Sequence, residues 1–323
     1  MGMRRREFLG VVGGAAAAWP LVARAQVARV PTIGVLVLGV PDPEMFLKAL
    51  RDGLRSVGYS EGRNIRLEIR SAERQSNRLA PLAAELVALK VEAIVVFQTP
   101  AAVAARQATS EIPIVMAQVG DPVATGLVAS LARPGGNVTG LSGGANETIG
   151  KVVELAREML PAMRRFATLA NPDDPFAKLF VEGVEAGARS AGMEMETFAV
   201  RPSEPMRPVF DAMVARNVNA VIPMTTIFDK EVVDLAMRHR LPLFSSARQV
   251  PATGGLASYS ADYTALWREC AVYIDKILKG AKPADLPVAF PTKFELVINL
   301  KTAKTLGLEI SPLLLSGADE VIE

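Results

Sequence analysis

Arg133-Pro134-Gly135-Gly136-Asn137-Val138-Thr139-Gly140-Leu141-Ser142-Gly143-Gly144 holds five glycines and a proline around a short β-capable run at 138–141. Glycine tolerates backbone angles that other residues avoid, so such a stretch suits a bend or a crossover. On each side lies a block of alternating strand-like and helix-like segments, each about domain-sized. The stretch reads as the hinge between two similar α/β lobes.

Upstream, residues 30–39 form a nearly continuous apolar run, as expected of a strand buried on both faces. Phe46, Leu47, Leu50, Leu54 and Val57 then fall at helical spacing, with Gly58 as a C-terminal stop. Strand patterns recur at 64–70, 93–97 and 112–118, with a helix at 79–89. Thr99 is a preferred N-cap and Pro100 fits a first helical position, so a helix over 101–108 follows the third strand directly. A short helix over 123–131 is expected to lead into the hinge.

Downstream the alternation restarts. Helices are expected up to 160 and over 176–191, 209–216 and 230–240. Strands are expected at 165–170, 195–200, 220–224 and 242–245. From Gly254 the pattern changes to a short strand at 255–258, a long amphipathic helix over 262–279, a proline-rich connector, a strand at 294–299 and a helix at 301–306. Strand–helix alternation in two blocks predicts an α/β fold of two doubly wound parallel-sheet lobes joined by a hinge.

Half of the 323 residues are hydrophobic but only 6% are aromatic, so the core must be mostly aliphatic. Residues 1–25 read as an export signal, with a basic Arg4-Arg5-Arg6-Glu7-Phe8-Leu9 start, a short apolar run and the small-x-small box Ala23-Arg24-Ala25. The apolar run is too short for the ~20 residues of a spanning helix. The arginine pair matches a twin-arginine signal. Without this segment, which carries four arginines and one glutamate, the formal charge falls from +2 to −1, with 32 basic and 33 acidic residues. No basic face for nucleic acid is expected. The expected location is the periplasm.

In open parallel α/β sheets, ligands bind beyond the carboxyl ends of the strands. Two lobes facing across a cleft make the strand-end turns the candidate contacts. In the first lobe these are Val40-Pro41-Asp42, Gln98-Thr99-Pro100 and Gly120-Asp121-Pro122. In the second they are Asn171-Pro172-Asp173, Thr225-Thr226 and Ser245-Ser246. Helix starts beside Thr99 and Asn171 offer backbone N–H groups to a carboxylate, and Asp121 offers charge to an ammonium. The competing structural reading is that Thr99 and Asn171 cap helices and Asp121 shapes a turn.

Catalytic patterns are missing. There is no G-x-S-x-G elbow, no Walker A loop and no G-x-G-x-x-G after a strand. One histidine, His239, and one cysteine, Cys270, cannot build a zinc site. Cys270 lies in an apolar helical pattern as a small hydrophobe. Asp173-Asp174 could hold a hard cation, but an exposed acidic turn is the simpler reading. No cofactor is expected, and the chain is not expected to be an enzyme.

The chain resembles the ABC-transporter substrate-binding protein family that includes tryptophan- and tyrosine-type binding proteins. The likeness covers essentially everything after the export signal. It is sharpest at 119–123, at Leu131-Ala132-Arg133-Pro134-Gly135-Gly136-Asn137-Val138-Thr139-Gly140-Leu141-Ser142, and along 273–283 and 291–300. The resemblance implies a type I periplasmic binding fold whose lobes close on an amino-acid-like or aromatic or organic acid solute. It also implies delivery of that solute to a permease in the inner membrane by a monomeric receptor. The family's strand-end contacts carry over to Thr99, Pro100, Asp121, Asn171 and Thr225. Tyr259 sits where the family has a Ser-Tyr-Gly turn, here Ser258-Tyr259-Ser260. Val40, Gln98, Asp173 and Ser246 complete the expected ligand set. By the same analogy the first lobe comprises 26–140 plus 262–290 and the second 141–261 plus 291–323. Many relatives have Trp before the Asn-Pro turn where this chain has Ala170, which removes a stacking surface for an aromatic solute. A ligand-sensing receptor subunit is the alternative use of such a fold. An enzyme exported by the twin-arginine route is a third reading, disfavoured by the missing cofactor motifs.

Overall fold

Strand β1 (Thr32–Val37) is followed by α1 (Pro43–Ser56), β2 (Arg66–Ser71), α2 (Leu79–Ala88), β3 (Ala93–Phe97), α3 (Thr99–Ala108), β4 (Ile114–Val119) and β5 (Val138–Ser142). This is a computed structural model, which describes residues 30–39, 43–202 and 204–323, with Pro31–Glu323 forming one compact unit. The export signal and Val40 lie outside the described residues. The five strands form one parallel sheet in the order β2-β1-β3-β4-β5. The order reverses between β1 and β3, and such a switch point opens a crevice at the strand ends. β3, Ala-Ile-Val-Val-Phe, is buried along its whole length because helices cover both faces of the sheet.

The middle of the glycine-rich stretch is a strand. Residues 138–142 pair with β4 as the edge of the first sheet, and the chain leaves the lobe only at Gly143-Gly144. Gly140 has φ +121°, and a Cβ there would collide with the Met116 backbone, at the point where the β4–β5 register shifts. Gly144, at φ +60°, turns the chain directly into α4 (Ala145–Met159). The segment before this strand is not the expected helix. Residues 121–131 form successive turns, because the Asp121 carboxylate takes the N–H groups of Val123 and Ala124 and Gly126 adopts φ +70°.

The second lobe contains β6 (Arg165–Ala170), α5 (Ala177–Ser190), β7 (Glu194–Ala199), α6 (Arg207–Ala215), β8 (Val221–Pro223), α7 (Lys230–Arg238), β9 (Phe244–Ser245), α8 (Gln249–Ala252) and β10 (Ala257–Ala261). β6 pairs in parallel with β7 and β8, and a single bridge from Val221 to Leu243 links this set to β9 and β10.

The chain then returns. Asp262 caps α9 (Tyr263–Leu278), its carboxylate accepting from Ala265 N, and α9 packs against α1 with Trp267, Cys270 and Ile274 fully buried. Ala289 hydrogen-bonds to Gly140 and Ser142 beside β5. The chain crosses once more to β11 (Phe294–Asn299), followed by α10 (Leu300–Leu306), α11 (Pro312–Ser316) and β12 (Glu320–Ile322). β11 pairs antiparallel with β10, the one departure from parallel pairing among the described strands, because β10 leaves the lobe at the hinge and β11 enters it there. Three segments therefore connect the lobes, and each lobe has its own aliphatic core.

Candidate functional site

The carboxyl ends of β3 and β4 face the second lobe across a cavity with an empty volume of about 490 Å³. The cleft is narrow here, with the two lobes packed against each other at Gly120 and Phe176. Gly120 sets that closeness. A Cβ there would lie 2.6 Å from the Phe176 ring of the other lobe.

The first-lobe wall is built from Gln98, Thr99, Gln118 and Gly120. Gln98 is 6% exposed, sits at φ +71°, ψ +154°, and its side-chain Oε1 is buried without a hydrogen-bond partner. A glutamine held in sparsely populated backbone space with an unsatisfied acceptor marks a site where structure is constrained for another purpose. Thr99 does not cap its helix. α3 starts at Thr99 itself, with Gln98 in the cap position, and the Thr99 hydroxyl accepts from Gly120 N at 3.2 Å. That bond ties the ends of β3 and β4 together.

The second-lobe wall brings Asp174, Phe176 and Phe180, with Thr225, Thr226 and Ser246 beside them. Asp174 is 5% exposed; it accepts from Phe176 N at 2.9 Å and from the Thr226 hydroxyl at 3.1 Å. Burial pushes its carboxyl up to about 6, against the lowering effect of those two bonds. Met224 and Ile149 are apolar neighbours on the same wall. Tyr263 closes the hinge side, its phenol donating to Ser246 O at 2.8 Å, and burial pushes that phenol's pKa up so that it stays neutral.

Of the expected site residues, the structure gathers Gln98, Thr99, Thr225 and Ser246 on this cavity. The others stand elsewhere. Pro100 is buried in the first turn of α3. The Asp121 carboxylate accepts from its own loop and is outside the cavity lining, where the carboxylate present is Asp174. Asn171 is fully buried behind the wall, its Oδ1 accepting from Asp173 N in a turn rather than capping α5, and its Nδ2 lacks a partner. Asp173 points out to Arg201 at 2.9 Å, which separates it from Asp174 and removes the cation-site reading. Among the described residues no group of three or more His, Cys, Asp or Glu could hold a metal. Tyr259 stacks on Phe294 with ring centroids 5.8 Å apart, away from the cavity lining.

Asp174, Phe176 and Phe180 were not in the expected set. Asp174 was visible in the sequence as half of an acidic pair, but strand-end logic favours the residue nearer the strand, and the turn inverts which of the pair faces inward. The two phenylalanines occupy the start of a helix, where sequence patterning assigns them to the core. They supply aromatic surface that the missing tryptophan at Ala170 had removed.

The same architecture occurs in proteins of known structure. The ABC domain from Streptococcus pneumoniae solved in complex with L-Trp is 32% identical, with 90% of this chain and 99% of that one aligned at a TM-score of 0.83. A conserved domain protein from Vibrio cholerae O1 biovar El Tor is 28% identical, over 91% and 100% of the two chains, at 0.84. A tyrosine-binding protein of Clostridioides difficile is 28% identical over 267 residues, 82% of this chain and 76% of its own length. Residues 32–322 match the family described as ABC transporter substrate binding protein. The hinged lobes, the cleft between them and this match over nearly the whole described chain place it in that family: the chain is an ABC transporter substrate binding protein, a non-catalytic, solute-binding transport component.

Proposed function

We propose that the chain binds an L-amino acid with an aromatic or large apolar side chain in the cleft and presents it to an ABC permease. The observation that carries this reading is the pairing of a buried, acceptor-rich pole with two phenylalanine rings in one interlobe cavity. Gln98 Oε1 lacks a donor and the buried Asp174 carboxylate, which accepts only from Phe176 N and the Thr226 hydroxyl, lacks a counter-charge; an α-ammonium provides both. A buried carboxylate at neutral pH is otherwise costly, and a bound cation relieves that cost. Thr99 and Ala145 bring the N-termini of α3 and α4 onto the same cavity, where free N–H groups favour a carboxylate. Phe176 and Phe180 put aromatic side chains in the cavity lining, an apolar surround that suits an aromatic side chain. The relatives described as bound to L-Trp and as tyrosine-binding support the same solute class.

The family match is in keeping with a periplasmic location. The basic and small-x-small features of residues 1–25 support export through the twin-arginine route.

A thermal-shift series tests the solute class. L-tryptophan, L-tyrosine and L-phenylalanine at about 100 times their Kd should each stabilise the protein by ~2.7 kcal/mol through mass action. Indole-3-propionate and 4-hydroxybenzoate, which lack the ammonium, should give no shift. Stabilisation by those acids with none from the amino acids would overturn the reading.

A further inference from the structure

Outside the solute cavity, an arginine side chain crosses from one lobe to the other. Arg74 follows β2 on the first lobe. Its Nη1 lies 2.8 Å from the Asp229 carboxylate, and its Nη2 donates to Ile227 O at 2.9 Å, both on the loop before α7 of the second lobe. The contact is partly sheltered, with Arg74 and Asp229 side chains 24% and 27% exposed. The guanidinium fork thus engages a carboxylate and a carbonyl at once, a directional arrangement that a single point charge would not make.

The backbone beneath it is constrained for this purpose. Glu73 and Arg74 are consecutive non-glycine residues at positive φ, +51° and +67°. Their conformation is pinned by Arg74 N donating to Leu38 O at 2.6 Å and Gln75 N donating to Ala72 O at 2.9 Å. Gly39 makes room, since a Cβ there would sit 2.8 Å from Arg74 N. Two strained residues in a row persist only where the surrounding structure holds them, and here the result is to aim one arginine across the cleft. On the opposite side, Asp229 is itself fixed, because its Oδ1 accepts from Val232 N at 2.8 Å as the N-cap of α7. Arg74 does not line the solute cavity.

We propose that Arg74 is a clasp: it stabilises the closed form by bridging to Asp229 and Ile227 O, and so sets how long the solute stays bound without touching it. Interactions present only in the closed state shift the open–closed balance by their full differential free energy and act mainly on the dissociation rate. The clasp depends on lobe closure and not on which solute is bound, so failure of the amino-acid reading leaves it standing.

The test needs no solute. A Gly120→Cys, Phe176→Cys parent places two thiols across the closed cleft, and their rate of disulfide formation in oxidised glutathione reports how often the lobes close. Cys270 is fully buried and does not compete. Arg74→Ala should slow trapping about tenfold, the scale of a charge-assisted hydrogen-bond pair. Asp229→Asn, which keeps an N-cap acceptor while removing the charge, should slow it several-fold. The double variant should be no slower than Arg74→Ala, and 1 M NaCl should bring the parent towards the variants. Iodoacetamide labelling rates and melting temperatures of the reduced proteins should stay the same. Trapping unchanged in Arg74→Ala, or additive losses in the double variant, would overturn the proposal.

Discussion

Asp174 carries the sharpest consequences at the scale of a single residue. Its folded pKa near 6 lies above the usual carboxylate value, so the ligand-free folded chain holds that proton more tightly than the unfolded chain does. The stability this contributes is complete below about pH 4 and is lost as pH rises through about 6. At neutral pH, ionising this buried group costs on the order of 3 kcal/mol. Asp174→Asn keeps an acceptor for Phe176 N and removes the charge. Differential scanning calorimetry should find the ligand-free variant melting a few degrees higher than wild type at pH 7.5, with no gain at pH 4. The same variant should bind L-tryptophan at least 30-fold more weakly by titration calorimetry, the cost of about 2 kcal/mol or more for deleting one side of a buried charge pair. Wild-type affinity should fall as pH drops below about 6, since a protonated Asp174 cannot pair with an ammonium. Gly120 makes the second residue-scale test. Gly120→Ala places a methyl against the Phe176 ring and should weaken binding about tenfold or more while leaving the ligand-free melting temperature within about 1 °C, because only the closed form meets the clash. An unchanged Kd would show that the ring moves aside.

At the scale of elements, the long helix α9 decides how the lobes are connected, since it follows a second-lobe strand yet packs on the first lobe. The approach of α1 to α9 depends on Gly53: a Cβ there would collide with the Arg268 carbonyl. Gly53→Ala should therefore destabilise the first lobe by about 2–4 kcal/mol, as overpacking against backbone cannot relax by a rotamer change. Urea unfolding followed by Trp267 fluorescence would read this, since Trp267 sits in the same core with its ring 5.8 Å from Phe46. A loss below about 0.5 kcal/mol would mean the helices separate freely. The buried strands and α9 were legible in the sequence, because continuous apolar runs and 3.6-residue spacing survive any packing arrangement. The supposed helix at 123–131 was not, because one carboxylate from Asp121 captured two backbone N–H groups and redirected the chain.

For the whole molecule, three crossings at a narrow waist permit the lobes to rotate while each core stays intact. The closed form described here should be the solute-bound one, so the radius of gyration by small-angle scattering should fall when L-tryptophan is added and stay fixed with indole-3-propionate. No compaction by a tightly bound solute would show that the lobes do not move. Alternation of buried strands and amphipathic helices determined, from the sequence alone, that two α/β lobes meet at a glycine-rich waist. The same information made six strand-end turns the candidates for the site, and residues of four of them, Gln98, Gly120, Thr225 and Ser246 among them, line the cavity, because periodicity and turn chemistry are local properties. Which side chains look inward was decided only in three dimensions. Asp174 faces the cavity while Asp173 faces Arg201, and Phe176 meets Gly120 from the other lobe, because those orientations depend on how two distant halves of the chain close on each other.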